Sequence, residues 1–449
     1  LSYKKGNRMI SLSIGCASSR PFLFQNDPDA LNLTQNQSPY PDTRFFVLSD
    51  THFYHQDLGT QGKAFQEYLD RDRKLLSLSD EIIDTAMKEI AKQKADFVLV
   101  CGDLTKDGEM ICHKAMAKHL GRLKQSGKKV FVVPGNHDVS NPEAVRFQGD
   151  QTHLVPAAGP DEFKQLYKDF GYSDAIASDD NSLSYVAEPV SGLRLLALDS
   201  CRWQENRPGH HPITGGAFSK ETLAWIEQQL IAAKRDEKAV IAMLHHGIME
   251  HYPANKKYYE EYVVDQDEEI TTLFAAYSVS LVFTGHFHAQ DITSKAKEDR
   301  FVFDIETGSL VTAPCPYRQI TLSKGNRAEV KSMAIKSIPS MGDDFAAHAD
   351  AYVFNGTKKL ADTALAKYKV SKEQSDLINH QIAKAYMAHL KGDEVFPATP
   401  IDKQGFSVWL RFIAWMQKDL VHGWWSDLPP RDNNIVIYTD TGNVSKTMA

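Results

Sequence analysis

Short apolar runs alternate with amphipathic segments over residues 44–335 of the chain. The apolar runs predict strands at residues 45–48, 97–101, 130–133, 193–198, 240–244, 281–284 and 301–305. A helix is predicted after Ser79, with a buried face of Ile82, Ile83, Ala86, Met87 and Ile90. A hairpin of residues 318–322 and 328–335 would close this part of the chain. Strands that alternate with helices predict an α/β domain with buried sheets.

The strand signal fades after Pro339, and helical patterns follow at residues 345–368, 371–390 and 406–420. We therefore predict a domain at residues 43–338 and a mainly helical C-terminal domain at residues 339–449. Residues 1–42, with a stretch rich in Ser, Asn, Gln, Asp and Pro, predict a flexible tail. Large aromatic side chains usually lie in cores, so packing against the α/β domain is predicted, rather than a binding surface, for Trp409, Phe412, Trp415, Trp424 and Trp425.

Charge and composition narrow the class of protein. The chain has 51 Lys and Arg against 58 Asp and Glu, a net charge of −7, and 42% hydrophobic residues. Such a balance predicts a soluble globular protein and weighs against binding to extended nucleic acid or anionic lipid. No apolar run reaches the roughly 18 residues of a membrane-spanning helix, so no transmembrane segment is predicted. The sequence leaves the oligomeric state open.

The first residues contain the outline of a bacterial lipoprotein signal. Lys4, Lys5 and Arg8 precede a short apolar stretch that ends before Cys16. The stretch is shorter than the usual core of ~7–15 residues. A cytoplasmic location is therefore favoured, with an extracytoplasmic protein that is lipid-anchored through Cys16 as the alternative. Buried thiols, without metal-site spacing, are predicted for Cys101, Cys112, Cys201 and Cys315.

Polar residues of metal-ligand type follow nearly every predicted strand. They form the blocks Asp50-Thr51-His52, Gly102-Asp103, Gly135-Asn136-His137-Asp138, His245-His246 and Gly285-His286-Phe287-His288. Because the carboxyl ends of parallel strands meet at one edge of a sheet, we expect the blocks to converge. Each block alone is common in turns and caps, but the ordered set indicates a metal site.

The residue types of these blocks point to a reaction class. The candidate ligands are Asp50, His52, Asp103, Asn136, His245, His286 and His288. Imidazole and carboxylate without thiolate suit Mn, Fe, Zn, Co or Ni. Seven ligands fit two ions that share one carboxylate, and Asp103 is the natural bridge. Two ions ~3.5–4 Å apart can hold a hydroxide nucleophile and clamp a phosphoryl group, so phosphoester hydrolysis is predicted.

As a set, the blocks resemble the signature of calcineurin-like metallophosphoesterases over residues 44–335. The resemblance implies a four-layer α/β/β/α sandwich with a dinuclear centre, in which Mn and Fe are favoured. It implies one metal at Asp50, His52, Asp103 and His288, and the other at Asp103, Asn136, His245 and His286. His246 is the alternative to His245, although the family usually uses the histidine nearest the strand end.

The same resemblance implies the catalytic residues. His137 would be the histidine that binds no metal and that stabilises the transition state or protonates the leaving oxygen. Asp138 would position His137 or its loop.

Several branches of the family differ from this chain. Ser/Thr protein phosphatases carry an Arg shortly after the Gly-Asp block, purple acid phosphatases a Tyr where this chain has Lys106, and surface nucleotidases a Glu where it has Asp138. Bacterial class III cyclic nucleotide phosphodiesterases are similar at Gly102-Asp103-Leu104-Thr105, Leu198-Asp199-Ser200, Gly215-Gly216 and Leu223-Ala224-Trp225-Ile226. This similarity implies hydrolysis of small phosphodiesters, most of all cyclic nucleotides, by a metal-bridging hydroxide.

Other functions stay open at this point. Within the family, the alternatives are a glycerophosphodiesterase or a phosphomonoesterase. From other classes, they are a nuclease or a non-catalytic binding protein. Residues 139–191 and the helical part would either cap the site or lie at the periphery. Candidate substrate contacts, with exposed loop residues as the alternative interpretation, are His55, the loop from Asn206 to His211, His251 and the Tyr-rich residues 252–262.

Overall fold

The computed structural model describes residues 33–34 and 37–447. Its strands are β1 (Thr43–Leu48), β2 (Phe97–Cys101), β3 (Lys129–Val133), β4 (Val145–Gln148), β5 (Gln151–Leu154), β6 (Ala177–Ser178), β7 (Tyr185–Val190), β8 (Leu193–Ala197), β9 (Ala239–Met243), β10 (Leu281–Thr284), β11 (Asp291–Lys297), β12 (Arg300–Glu306), β13 (Pro316–Ser323), β14 (Arg327–Ala334), β15 (Ile435–Tyr438) and β16 (Asn443–Lys446).

The helices are α1 (Lys63–Leu69), α2 (Ser79–Lys92), α3 (Met110–Gln125), α4 (Pro160–Leu166), α5 (Lys220–Arg235), α6 (Asn255–Tyr258), α7 (Asp267–Ala276), α8 (Phe345–Lys367), α9 (Lys372–Lys391), α10 (Val408–Met416) and α11 (Lys418–Gly423). Short 3₁₀ helices lie at Gln56–Leu58, Leu76–Leu78, Tyr172–Asp174, Trp203–Glu205 and Glu260–Tyr262.

Two seven-stranded sheets organise the strands. The first has the order β16-β15-β14-β13-β1-β2-β3, and the second has the order β11-β12-β10-β9-β8-β7-β6. β1, β2 and β3 are parallel neighbours in the first sheet. β8, β9, β10 and β12 are parallel neighbours in the second. The carboxyl ends of these strands therefore lie at one edge of each sheet.

The hydrophobic core divides the α/β part into four layers. Phe45 and Leu99 of the first sheet share one buried cluster with Leu195 and Phe283 of the second, so the sheets pack face to face. The outer face of the first sheet packs on α2 and α3, and that of the second on α5 and α7. The predicted four-layer α/β/β/α sandwich is confirmed.

Much of the long segment 139–191 is built into these layers. β7 and the edge strand β6 belong to the second sheet, and Phe163 of α4 is buried with the helices of the first. β4 and β5 form a separate two-stranded sheet.

The C-terminal helices share the hydrophobic cluster of α2 and α3, through buried residues such as Phe345, Val353, Leu390 and Leu410. The chain then returns to the first sheet, where β15 pairs with β14. This last hairpin was not expected from the sequence. The domain boundaries at 42/43 and 338/339 stay predictions.

Packing of the C-terminal aromatic residues differs from the prediction. Trp424 is buried, but Trp409 is 49% exposed, Phe412 45% and Trp415 58%. These three rings stack along one side of α10. The packing prediction is thus right for Trp424 and wrong for the three residues on α10.

Most of the predicted tail, including Cys16, lies outside the described residues. Tyr40 is buried, and its hydroxyl donates to the Val240 carbonyl (3.4 Å), so packing begins before residue 44. Within the part of the chain that the structure describes, no helix is both long and apolar enough to cross a membrane. Buried free thiols are confirmed for Cys101, Cys112, Cys201 and Cys315.

Candidate metal centre

Each predicted ligand lies two to four residues beyond the end of a parallel strand, in a loop after β1, β2, β3, β9 or β10. Backbone hydrogen bonds tie these loops together. Asp50 N donates to the Gly102 carbonyl (3.1 Å), and Gly285 N donates to the His245 carbonyl (2.9 Å). His286 N donates to Asp50 Oδ2 (3.0 Å), so the loops of both sheets form one continuous polar site.

Left-handed backbone conformations mark this site. Positive φ angles occur at Asp50 (50°), His52 (36°), Asp103 (48°), His286 (78°) and His288 (74°). Such angles are unfavourable for residues with a Cβ and collect at functional sites. The loops also approach closely, because a Cβ on Gly135 would overlap the Asp103 carboxylate. The backbone is thus shaped to point several ligand side chains inward.

The first ligand group comes from the loops after β1, β2 and β10. It consists of Asp50, His52, Asp103 and His288, whose ligand atoms all lie within 4.8 Å of one another. His52 Nε2 is 3.1 Å from His288 Nε2 and 3.5 Å from Asp103 Oδ2. His288 Nε2 is 3.2 Å from Asp50 Oδ1. Two imidazoles and two carboxylates therefore face one point.

The second ligand group joins the two sheets. It consists of Asp103, His245 and His286, again within 4.8 Å of one another. His245 Nε2 is 3.3 Å from Asp103 Oδ2 and 3.1 Å from Asn136 Oδ1. The structure thus brings together the predicted ligands, with Asp103 common to both groups.

Buried atoms without hydrogen-bond partners indicate whether the two ligand groups fit metal ions. Asp50 Oδ1, His52 Nδ1 and both ring nitrogens of His286 are buried without a hydrogen-bond partner among the described residues. Burial holds the pKa of His52 and of His286 well below the usual value, which keeps these imidazoles neutral. Neutral imidazole is the form that binds metal. The donor set fits transition-metal ions.

His245 and His246 differ in their hydrogen bonds. His245 Nδ1 donates to the Cys101 carbonyl (2.8 Å), which leaves Nε2 facing Asp103. Both nitrogens of His246 are occupied, by Ser200 Oγ and the Thr214 carbonyl at 2.8 Å each. His245 lies in the ligand group, and His246 supports the wall beside it.

His137 stands at the edge of the two groups and belongs to neither. Its ring is 23% exposed, and its Nε2 lies 3.9 Å from Asp103 Oδ2. Its Nδ1 lies 2.7 Å from the carboxylate of Asp107, which is buried. Although burial favours the neutral acid, the ammonium of Lys106 and the bond to His137 lower the pKa of Asp107 to about 2. Asp107 therefore orients the His137 ring as a carboxylate.

The Asp138 carboxylate holds two loops of the site together. Its carboxylate accepts hydrogen bonds from Leu104 N (3.0 Å), Thr105 N (3.0 Å) and Gly135 N (2.9 Å). It thereby links the loops after β2 and β3. Of the two roles expected for Asp138, the structure places it against the loop, and the His137 ring is oriented by Asp107. Asp107 was missed because nothing in its local sequence marks it as the partner of His137.

The structure places the candidate substrate contacts in different surroundings. His55 Nδ1 accepts from Asp57 N and caps a 3₁₀ helix, and Asn206 bonds to the backbone of neighbouring loops. His251 is buried in a different polar cluster. The ring of Tyr262 lies 4.4 Å from that of His286. From the Tyr-rich segment, Tyr262 thus reaches the metal centre.

The sequence analysis also missed a buried cation, Lys74, whose charge acts on two histidines of the centre. The Lys74 side chain is 9% exposed, and its ammonium lies 3.2 Å from Asp72 Oδ2. After burial, the charge of Lys74 is the largest cause that lowers the pKa of His52, and it also acts on His137. Lys74 therefore lies within electrostatic reach of both rings. Its neighbour Arg73 places its guanidinium 4.4 Å above the Tyr386 ring of α9.

Comparison with protein-family models agrees with this architecture. A family model described as Calcineurin-like phosphoesterase matches residues 43–290. No curated protein sequence matches the chain.

Solved structures that are similar include a dimetal phosphatase from Danio rerio, with a TM-score of 0.47 and 14% identity over 66% of this chain and 97% of that one. A purple acid phosphatase from yellow lupin (Lupinus luteus) seeds has a TM-score of 0.41 and 14% identity over 66% of this chain and 53% of that one. GAP50, the anchor in the inner membrane complex of Plasmodium, has a TM-score of 0.36 and 13% identity over 70% of this chain and 95% of that one.

Proposed function

Because the chain belongs to the calcineurin-like phosphoesterase family, we propose that it hydrolyses small phosphodiesters and that cyclic nucleotides are its favoured substrates. One observation supports phosphoester hydrolysis as the reaction class. Asp103 belongs to two convergent ligand groups, and a partly exposed histidine, His137, stands 3.9 Å from the same carboxylate. A centre for metal ions and a proton donor therefore adjoin the same carboxylate.

The metal ligands in this proposal follow the two groups. One ion is held by Asp50, His52, Asp103 and His288, and the other by Asp103, Asn136, His245 and His286. Mn and Fe are the favoured ions, because oxygen and imidazole ligands suit them. Ions bound there would polarise phosphoryl oxygens and make water nucleophilic at neutral pH.

His137 holds the proton for the leaving oxygen in this proposal. Its Nδ1 is committed to the ionised Asp107 carboxylate at 2.7 Å, which fixes the tautomer and the ring orientation. A proton on Nε2 is then the one that the partly exposed edge of the ring can deliver. In a cyclic nucleotide, the recipient is the ribose oxygen that is expelled.

Lys74 supplies a positive charge for the phosphodiester group. Its side chain is buried beside Asp72 and within electrostatic reach of His52 and His137. A charge in such a poorly solvated place attracts an anionic substrate more strongly than one in bulk water does. We assign Lys74 to the binding of the non-bridging phosphate oxygens.

Cyclic nucleotides are favoured because of the residues around His245 and His286. The motif residues Ser200 and Gly216 pack against His246, and Ser200 Oγ bonds to its Nδ1. The Tyr262 ring, next to His286 and 4.8 Å from that of Phe287, offers an aromatic surface for a base. The net charge of −7 argues against a long nucleic-acid substrate.

A substrate panel tests this function. With protein that has been stripped of metal and reloaded with Mn²⁺, we expect faster hydrolysis of 3′,5′- or 2′,3′-cyclic nucleotides than of glycerophosphodiesters, aryl phosphodiesters or phosphomonoesters. The kcat/KM for each substrate is the measurement. Because a small diester contacts few cations, kcat/KM should change little with salt, whereas a nuclease would lose affinity steeply. Turnover confined to monoesters would overturn the proposed substrate class and leave the family assignment intact.

Replacing Lys74 by Met tests the proposed phosphate contact. We expect kcat/KM for the preferred diester to fall ~10- to 100-fold, since a hydrogen bond to a charged group contributes about 1.5–3 kcal/mol. Asp72→Asn is the matched control, because it breaks the same 3.2 Å ion pair and keeps the ammonium. Equal losses in the two variants would mean that the ion pair matters only for structure.

A further inference from the structure

A second group of metal-ligand side chains lies where the C-terminal helices meet the second sheet. It consists of Asp291 at the start of β11, His389 near the end of α9 and Glu394 in the loop that follows. Their ligand atoms lie within 4.8 Å of one another. We call these three residues the His389 cluster. None of them belongs to the catalytic groups, although Asp291 comes only three residues after His288.

The His389 cluster has a compact geometry. His389 Nδ1 is 2.7 Å from Glu394 Oε1 and 3.8 Å from Asp291 Oδ2. All three side chains are almost fully buried, at 1% exposure for His389 and Glu394 and 3% for Asp291. The rings of Tyr252 and Phe287 pack on the His389 ring at 4.8 and 5.1 Å. The imidazole and both carboxylates are therefore held in place and shielded from solvent.

Polar atoms of the cluster have unused bonding capacity. Glu394 Oε2 is buried without a hydrogen-bond partner, although Oε1 of the same carboxylate bonds to His389. His389 Nε2 is also buried without a partner among the described residues. An unpartnered carboxylate oxygen in such a place is unfavourable unless a cation or a proton occupies it. Glu394 Oε2 is thus a hydrogen-bond acceptor without a donor among the described residues.

Further carboxylates adjoin the cluster. Asp393, Asp427 and Asp432 lie within 4.8 Å of one another, and Asp427 Oδ1 is buried without a partner. Burial, with the charges of Glu394 and Asp291, raises the pKa of Asp427 to about 7. Arg431 Nε lies 3.2 Å from Asp393 Oδ1, and Asp427 Oδ1 is still left without a partner.

The nearby cations are committed to other groups. Buried Arg318 donates to the Glu306 (2.7 Å) and Asp432 (2.7 Å) carbonyls. His251 lies between Asp291 Oδ1 (2.9 Å) and Asp304 Oδ2 (3.2 Å). Neither side chain is a hydrogen-bond partner of Glu394 Oε2, so this buried oxygen still requires a positive partner.

We propose that Asp291, His389 and Glu394 bind a divalent transition-metal ion that is additional to the catalytic pair. One imidazole nitrogen with carboxylate oxygens is a donor set for Zn²⁺ or Mn²⁺, and the nitrogen disfavours Ca²⁺ and Mg²⁺. Asp427 is a nearby further carboxylate. The ion joins α9 and the following loop to β11, and its role is structural.

Such an ion would also support the catalytic loop. Gln290 N donates to the Leu390 carbonyl (3.2 Å), and Ile292 N donates to Asp432 Oδ1 (2.8 Å). The segment that follows His288 is therefore anchored to the C-terminal part of the chain on both sides of Asp291. This gives the C-terminal helices a function beyond covering the α/β core.

Metal content of the full-length chain tests this inference independently of any activity. In the double variant Asp103→Asn/His245→Ala, which removes the carboxylate common to both catalytic groups and one imidazole of the second, we expect about one Zn²⁺ per chain after loading and desalting. We also expect saturating Zn²⁺ to raise the Tm of this variant by roughly 5 °C. Adding Glu394→Gln should abolish both effects. His380→Gln, an exposed change on the same helix, is the control that should alter neither.

Two results would overturn the inference. One is no retained zinc and no Tm shift in the folded double variant, which would mean that protons hold the carboxylates. The other is zinc that survives both Glu394→Gln and His389→Gln. If these variants do not fold, a zinc-edge anomalous difference map of the unmodified protein decides, because a peak within bonding distance of Asp291, His389 and Glu394 is required.

Discussion

Replacing Asp103 by Asn is expected to lower kcat for phosphodiester hydrolysis by roughly 10³-fold or more. Asp103 Oδ2 is 3.5 Å from His52 Nε2 and 3.3 Å from His245 Nε2, so one carboxylate serves both ligand groups. The amide has no charge and one fewer acceptor oxygen. Polarisation by bound metal contributes several kcal/mol to the transition state, and each 1.36 kcal/mol corresponds to a tenfold change in rate.

The Asp103 experiment needs metal content beside activity. We expect elemental analysis of Asp103→Asn to show loss of bound metal, together with a fold that circular dichroism reports as intact. Asp150→Asn, an exposed change in the turn between β4 and β5, is the control and should keep both metal and kcat. Full metal content with kcat within tenfold of the unmodified protein would contradict the bridging role.

Replacing His137 by Ala is the second large change. We expect kcat to fall by ~10²–10⁴-fold, the usual contribution of general acid–base catalysis. Metal content should stay unchanged, because His137 belongs to neither ligand group. If His137 protonates the leaving oxygen, the loss is large for a ribose leaving group and small for a nitrophenolate. Comparing kcat for a cyclic nucleotide and for an aryl phosphodiester measures this difference.

Two further variants serve as comparisons for His137→Ala. Asp107→Asn keeps the imidazole and removes the carboxylate 2.7 Å from Nδ1, so we expect a smaller loss of kcat with the same dependence on leaving group. His153→Ala removes an exposed histidine of β5 and should have no effect. An equal loss for both classes of leaving group in His137→Ala would assign the ring to charge stabilisation instead.

Much of the site was predictable because it depends on strand ends. Buried parallel strands are short apolar runs, and the residue types that follow them are visible in the sequence. The sequence therefore predicts that Asp50, Asp103 and His286 lie in one centre. The structure brings them together with their predicted companions.

Pairings between distant loops were not predictable. Asp107 meets His137 across 30 positions, and the charge of Lys74, which lies in a segment without periodicity, acts on His52. The choice between His245 and His246 depends on which ring finds other hydrogen-bond partners. Packing decides which side chains of different loops meet. A single sequence does not show these contacts.

In the C-terminal part of the chain, too, some features follow from the sequence and others only from the tertiary structure. Its helices follow from apolar periodicity, but the exposure of Trp409 and the return of β15 to the first sheet do not. The His389 cluster draws on β11, α9 and the loop after it, which no local pattern connects. The sequence by itself determined the elements and the ligands at strand ends, because both depend on local periodicity. Tertiary structure alone decided which distant polar groups share a buried space, since that depends on how the layers pack.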